Sequence, residues 1–303
     1  MEIANSAIEM KQINKKYRGF TLDIPSLSIP EGFATALIGE NGAGKTTLIN
    51  ILAGTRLDYK GELTFFGKWN DKDREQEDVP VREMIGYTGP GNYYLPNWTV
   101  QQVEEVTQML FDKFDREKFE SLLEQLQISA NTAGGKQKKV SVLSDGNKMK
   151  LMLAGVLARE TSLLILDEPA SPLDPLMRDI LCDILRQYLD QGEGKRTVFF
   201  STHNIADMEN VTDYAIIMEH GQVMEQGFVE DLKEKYTVVK GEAKDADGAA
   251  KILYTMSRNT YGFEGVCLSE NLDRLAGMDV ELERPSLSQI CVAVMKANSR
   301  IRL

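Results

Sequence analysis

The nine residues GENGAGKTT, from Gly39 to Thr47, set glycines, a lysine and two hydroxyls at the spacing of a phosphate-cradling loop. Gly39, Gly42 and Gly44 let backbone N–H groups converge on the β- and γ-phosphates of a nucleoside triphosphate, with Asn41 and Thr47 in the same cradle. Lys45 neutralises phosphate oxygens during transfer, and Thr46 is the expected Mg²⁺ ligand. Farther along, the run LLILDEP ends in two adjacent acids. Asp167 would hold the Mg²⁺ reached through Thr46, and Glu168, one residue nearer the γ-phosphate, can accept a proton from the attacking water. His203, in FFSTHN, is one of two histidines and reads as a γ-phosphate contact, whereas His220 in EHGQ reads as a turn residue. This chemistry is the binding and hydrolysis of a nucleoside triphosphate, ATP in the simplest case, with Mg²⁺.

Such residues need elements that bring them together. Residues 34–38 form a short apolar strand that enters the glycine-rich turn and leads into the helical run TTLINILAG, with Gly54 placed as a stop. The alternating TLDIPSLSI and ELTFFGK read as strands of a β-rich lobe, edge strands where the prolines fall. A helical segment follows from about residue 92 to residue 160, in which Asp115 caps a helix with Phe119, Leu122, Leu123 and Leu126 on one face. Strands return at 162–168, 197–202 and 214–219 with helices between them, the pattern of a parallel sheet covered on both faces. Beyond residue 228 the composition turns polar and acidic around KGEAKDADG. A small C-terminal α/β domain is expected over 229–303, with strands at YTVVK, FEGVCL and MDVELE and a final helix carrying Leu287, Ile290, Cys291, Val294 and Met295 at helical spacing.

Composition narrows the partners. The net charge of −11 over 303 residues argues against a nucleic-acid surface, which needs clustered Lys and Arg. Three distant cysteines show no metal-ligand spacing and read as buried small hydrophobes of a reducing cytosol. The first residues, MEIANSAIEMKQINKK, lack the apolar stretch of a signal peptide, and no window approaches the roughly 20 apolar residues of a spanning helix. A cytoplasmic chain is expected, with any membrane role exercised through a partner.

Phosphate loop, DEP, SPLDP and STH in this order resemble the ATP-binding cassette (ABC) ATPases of ABC transporters, over residues 6–228. The resemblance implies a P-loop NTPase core of α/β class with an N-terminal antiparallel β lobe and a helical subdomain at about 92–160. It places Tyr17 where the family stacks an aromatic ring on adenine, and Asp174 in the loop that crosses to a partner subunit. LSDGNKMKLMLAGVLA resembles the family's LSGGQ signature, matching at Ser144 and Gly146 and departing at Asp145 and Asn147. In the family the signature of one subunit closes over the ATP held by another. A head-to-tail dimer, homodimeric or heterodimeric, is therefore implied, together with integral-membrane permease subunits that hold the cassette on the inner face of the membrane.

IGYTGP, the LSxGN signature and the trailing ERPSLSQICVAVMK are similar to bacterial exporter subunits of the bacitracin and amphipathic peptide (phenol-soluble modulin) type. That resemblance implies export of a peptide or a hydrophobic antimicrobial compound. Two departures stand out. The family's Mg²⁺-arranging glutamine falls on Pro90, which cannot replace it, leaving Asn92 as a substitute; and the charge of Asp145 must either point away from the nucleotide or weaken binding in trans. Two alternatives follow: a soluble non-transport cassette acting as a regulatory or translation-associated switch, which single-cassette architecture and net acidity disfavour, and a degenerate cassette, which Glu168 and His203 disfavour.

Overall fold

The computed structural model describes residues 5–70, 81–90, 94–131 and 135–298. A six-stranded sheet runs through the middle, built from β3 (Ala34–Ile38), β6 (Ile85–Thr88), β7 (Leu163–Asp167), β8 (Thr197–Thr202), β9 (Tyr214–Glu219) and β10 (Gln222–Phe228) in the order β10-β9-β3-β8-β7-β6. All neighbours are parallel except β10 on β9. Every residue of β3, β7, β8 and β9 is buried, the signature of strands covered on both faces. The period of two sorts their side chains. Leu163, Ile165 and Phe199 join one apolar core with α1 (Lys45–Leu52) and the β lobe, while Leu164, Leu166 and Phe200 join the other, with the helices of the opposite layer.

Because β3, β8 and β7 are adjacent and parallel, the loops that leave their C-terminal ends lie side by side. Those loops carry the phosphate-loop motif, His203 and the Asp167–Glu168 pair, so sheet order alone gathers residues far apart in sequence.

The lobe is an antiparallel sheet in the order β2-β1-β4-β5, made of β1 (Ser6–Tyr17), β2 (Phe20–Pro30), β4 (Lys60–Phe65) and β5 (Trp69–Asn70). As the prolines demand, β2 lies on its edge. The short α2 (Val81–Met84) precedes β6. The helical layer comprises α3 (Val100–Leu110), α4 (Arg116–Gln125) and α5 (Asp145–Leu157), each with a side-chain cap: a Thr99–Gln102 capping box, Asp115, and Ser144. Phe119, Leu122, Leu123 and Leu126 of α4 are buried as their spacing predicts. Next, α6 (Pro175–Asp190) starts on an Asp174 cap followed by proline.

After β10 the chain passes through α7 (Val229–Lys235) into a second antiparallel sheet ordered β12-β13-β11-β14, formed by β11 (Tyr236–Glu242), β12 (Thr255–Arg258), β13 (Gly262–Leu268) and β14 (Val280–Glu283), with α8 (Ala246–Ala249) following β11. The last helix, α9 (Leu287–Asn298), buries Leu287, Ile290, Cys291 and Val294 in the same apolar core as Ile217 of β9 and Leu232 of α7. All three cysteines are buried and free. Among the described residues no helix is long and apolar enough to cross a membrane.

Candidate nucleotide site

An open cleft of about 680 Å³ is lined by Tyr17, Asn41, Gly42, Gly44, Lys45, Thr46, Thr47, Glu168 and His203, joined by Phe20, Glu40 and Ser171, which the sequence had not singled out. Its size is that of a small-molecule site. The loop geometry explains the glycines. A Cβ at Gly39 would stand 2.4 Å from the Met218 carbonyl oxygen, and Gly44, at φ 106°, would press a Cβ to 2.8 Å from the Phe20 ring. Neither a side chain nor an ordinary backbone fits there.

Lys45 is buried at the start of α1, where Nζ donates to the carbonyl oxygens of Gly39 at 2.7 Å and Glu40 at 3.3 Å. The same nitrogen stands 3.5 Å from Oε1 of Glu168. Glu168 holds a left-handed backbone at φ 52°, which costs a β-carbon residue roughly 1–3 kcal/mol. The sharp turn separates two neighbouring acids: Asp167 lies wholly buried at the end of β7, and Glu168 enters the cleft.

One hydroxyl fixes both. Ser201, opposite Asp167 in the parallel register, accepts a hydrogen bond from the Glu168 N–H at 3.0 Å and donates to Oδ1 of Asp167 at 2.5 Å. Oε2 of Glu168 lies 2.7 Å from Nδ1 of His203 and accepts from the Ser171 hydroxyl at 2.8 Å. Sequence reading missed Ser201 and Ser171; the signal for Ser201 was its place in FFSTHN at the end of a strand beside β7.

Burial pushes the Asp167 carboxyl above the usual carboxylate range, opposed by hydrogen bonds from Ser201 and Thr46. Its Oδ2 is buried with no hydrogen-bond partner among the described residues. An orphaned carboxylate oxygen beside a threonine hydroxyl is a hard-oxygen pair suited to Mg²⁺, which takes few protein ligands and completes its shell with phosphate oxygens and water. The residues therefore fit the metal, and Thr46 and Asp167 would hold it. When bound, Mg²⁺ would neutralise charge on the phosphate oxygens. Toward such a ligand, Lys45 can supply positive charge, Glu168 can accept the proton of water, and His203 can orient that carboxylate. Tyr17 stands at the cleft's edge, 39% exposed, its ring centroid 6.2 Å from that of Phe20, with Lys15 and Arg56 over the ring at 5.3 and 5.6 Å.

Ser144, Gly146 and Asp174 do not line this cleft. Ser144 caps α5, its hydroxyl accepting from the Asn147 N–H at 3.3 Å, and is exposed. Gly146 lets that helix end approach the chain after Glu168: a Cβ would lie 2.7 Å from the Pro172 carbonyl oxygen. Asp174 caps α6 by accepting from the Met177 N–H at 3.1 Å, so its carboxylate is already engaged within the chain. Asp145 pairs with Lys148 at 3.0 Å. Both line a neighbouring cleft with Pro90, Asp167, Glu168 and Pro172. Pro90 is exposed and offers that cleft no side-chain donor or acceptor. Asn92 lies outside the described residues.

Comparison with known proteins agrees with this geometry. The ABC transporter family pattern matches residues 22–171. An uncharacterised ABC transporter ATP-binding protein of Synechocystis is 30% identical over 261 residues, 81% of this chain and 71% of that protein. The energy-coupling factor transporter ATP-binding protein EcfA2 of Methanospirillum hungatei is 31% identical, over 74% of this chain and 56% of its own length. A solved ATP-binding subunit of an ABC transporter superposes with a TM-score of 0.63 at 23% identity, over 75% of this chain and 92% of that one. The chain belongs to the ABC transporter family. Within it, it is an ATP-binding subunit, an ATPase that uses ATP and Mg²⁺.

Proposed function

We propose that the chain energises a bacterial exporter, driving a peptide or a hydrophobic antimicrobial compound through partner integral-membrane permease subunits by ATP-dependent dimerisation of two cassettes. One observation carries the dimer: the cleft holding Lys45, Thr46, Glu168 and His203 is open, while Ser144 and Gly146 sit elsewhere, at the exposed start of α5. A site split between two surfaces of one chain is completed by a second copy or a related cassette. A hydroxyl and free N–H groups at a helix N-terminus are suitable donors to a γ-phosphate in trans. The direction of transport rests on the resemblance of IGYTGP, LSDGN and ERPSLSQICVAVMK to peptide-export cassettes. The chain then works on the cytoplasmic face, held to the membrane by its permease.

The test is recovery of tagged chain from detergent-solubilised membranes, with ATPase activity measured against protein concentration. A co-purified multi-helix membrane protein and a rate per chain that rises with concentration are expected. Recovery with ribosomes, or a rate independent of concentration, overturns the reading. For direction, cells lacking the chain should retain a fluorescent antimicrobial peptide that normal cells expel; equal retention removes the export assignment.

A further inference from the structure

Far from the phosphate loop, a cleft of about 670 Å³ opens between α4 of the helical layer and α6 of the core. In a chain of net charge −11 it collects four cations, Lys113, Lys118, Arg159 and Arg196, against two carboxylates, Asp115 and Glu160. Both carboxylates are already occupied. Glu160 pairs with Lys113 at 3.3 Å, and Asp115 accepts the backbone N–H of Lys118 at 3.0 Å as the cap of α4. Arg159 is satisfied from behind, stacked 3.4 Å from the Phe111 ring centroid and donating to the Glu83 carbonyl oxygen at 3.2 Å.

Two cations remain. The Lys118 ammonium is partly buried and has no hydrogen bond or ion pair among the described residues. Among the described residues Arg196, also partly buried, finds only neutral partners: the Tyr188 carbonyl oxygen at 3.5 Å, Oε1 of Gln191 at 3.3 Å, and the face of the Tyr188 ring at 4.9 Å. Burial, and then repulsion from Arg196, hold the Lys118 ammonium below the ordinary lysine range, against the weaker attraction of Asp115 and Glu160. Desolvated like charges in one cleft are costly unless a counter-charge enters.

We infer that this cleft is a second, non-catalytic anion site, which takes a phosphate group, free or as a monoester, between Lys118 and Arg196. A doubly charged tetrahedral anion neutralises both cations at once, and a guanidinium fork offers two parallel donors to phosphate oxygens. The Ser121 hydroxyl and the Gln187 amide line the same cleft as further donors. The occupant would tie α4 to the segment leading into β8, the strand whose far end carries Ser201. The inference is independent of transport direction and of dimerisation.

The experiment is calorimetric titration of the full chain, first saturated with Mg²⁺ and a non-hydrolysable ATP analogue so that the phosphate loop is filled through its γ-position. Ionic strength is held constant. Inorganic phosphate and glycerol phosphate are the two probes. Saturable one-to-one binding is expected, weakened at least tenfold by Lys118→Gln and by Arg196→Gln. Binding of inorganic phosphate alone identifies a hydrolysis product as the ligand, and binding of glycerol phosphate identifies a phosphorylated metabolite. Retained affinity for the ATP analogue shows that a variant is folded; should Arg196→Gln lose it, Arg196→Lys keeps the charge without the fork and is expected to bind with intermediate affinity. No saturable binding of either probe, or equal affinity in the parent and the two glutamine variants, overturns the inference.

Discussion

The two halves of the proposed nucleotide site are built by opposite means. Around the phosphate loop the groups are bonded to each other, with Lys45, Asp167 and Ser201 buried and Glu168, Ser171 and His203 facing the cleft: Lys45 to loop carbonyls, Glu168 to His203 and Ser171, and Asp167 to Ser201. Around the start of α5 they are exposed and bonded locally: Ser144 to Asn147 and Asp145 to Lys148. The first half is held in place by a sheet whose strands end together. The second is a helix terminus on the surface, where Gly146 closes on the Pro172 carbonyl while the rest of α5 packs in the core. The chain's departures from its family fall in the second half, at Asp145, Asn147 and nearby Pro90, and none falls among Gly39, Lys45, Asp167, Glu168 and His203. The chemistry is thus rigidly specified within the chain, while the surface expected to meet a partner has been altered.

The sharpest way to break this contrast is Glu168→Gln. It keeps the shape of the side chain and removes the proton acceptor, so Mg²⁺-dependent ATP turnover should fall by about 10²–10⁴-fold. Nucleotide binding, measured with a fluorescent ATP analogue, should stay within about twofold. A variant that still turns over at a tenth of the normal rate would move the proton acceptor elsewhere.

Ser201→Ala tests whether the first half acts as a unit. It leaves the Glu168 N–H and the buried Asp167 Oδ1 without their shared partner, and such a loss costs about 1–3 kcal/mol. Thermal unfolding should show that destabilisation, and turnover should fall about tenfold as both acids lose their orientation. If stability falls and turnover does not, the hydroxyl serves the sheet and not the site.

Much of the first half was legible because its strands are uniformly apolar. ATALI, LLILD and TVFFST are short apolar runs of strand length, which read as buried strands, and once they are parallel neighbours their following residues must meet. Asp115 and the apolar face of α4 were legible for the same reason, a cap followed by a 3.6-residue period. Strand β1 was not, although it lies in the middle of the lobe: its outer half reads Lys11, Gln12, Asn14, Lys15 and Lys16, and only Ile13 among them is buried. The polar edge strand β12 was lost likewise. Ser201 required the register of β7 against β8, which no local spacing encodes, whereas the i,i+3 spacing of Asp145 and Lys148 on α5 offered their pairing, which went unread. The cleft between Lys118 and Arg196 depends on how two layers pack, which no local pattern reports.

Gly146→Ala probes the close approach at the start of the second half. The added carbon would meet the Pro172 carbonyl oxygen, a backbone atom, at 2.7 Å, so the start of α5 must shift. Because that helix end is exposed and can move, the cost should be about 1 kcal/mol, at the low end for overpacking. Turnover should drop about fivefold at low protein concentration and recover as concentration rises, since only assembly is weakened. An equal loss at every concentration would place the effect within the chain's own cleft.

The smallest expected effect is the most specific to this chain. Lys148 stands 3.0 Å from Asp145 and neutralises the charge that the departure from the family introduces at the signature. Lys148→Gln leaves that carboxylate uncompensated at a surface that must approach a triphosphate, and turnover should fall about two- to threefold, within the modest range of exposed charge pairs. Asp145→Gly alone should change little, because it removes a charge already balanced. Combined with Lys148→Gln it should restore the rate, and this rescue is the signature of compensation. The loss should also shrink at higher salt, where the repulsion is screened. A loss in Lys148→Gln that Asp145→Gly cannot rescue would mean that the lysine itself meets the nucleotide or the partner, and the second half would then hold a charged contact of its own.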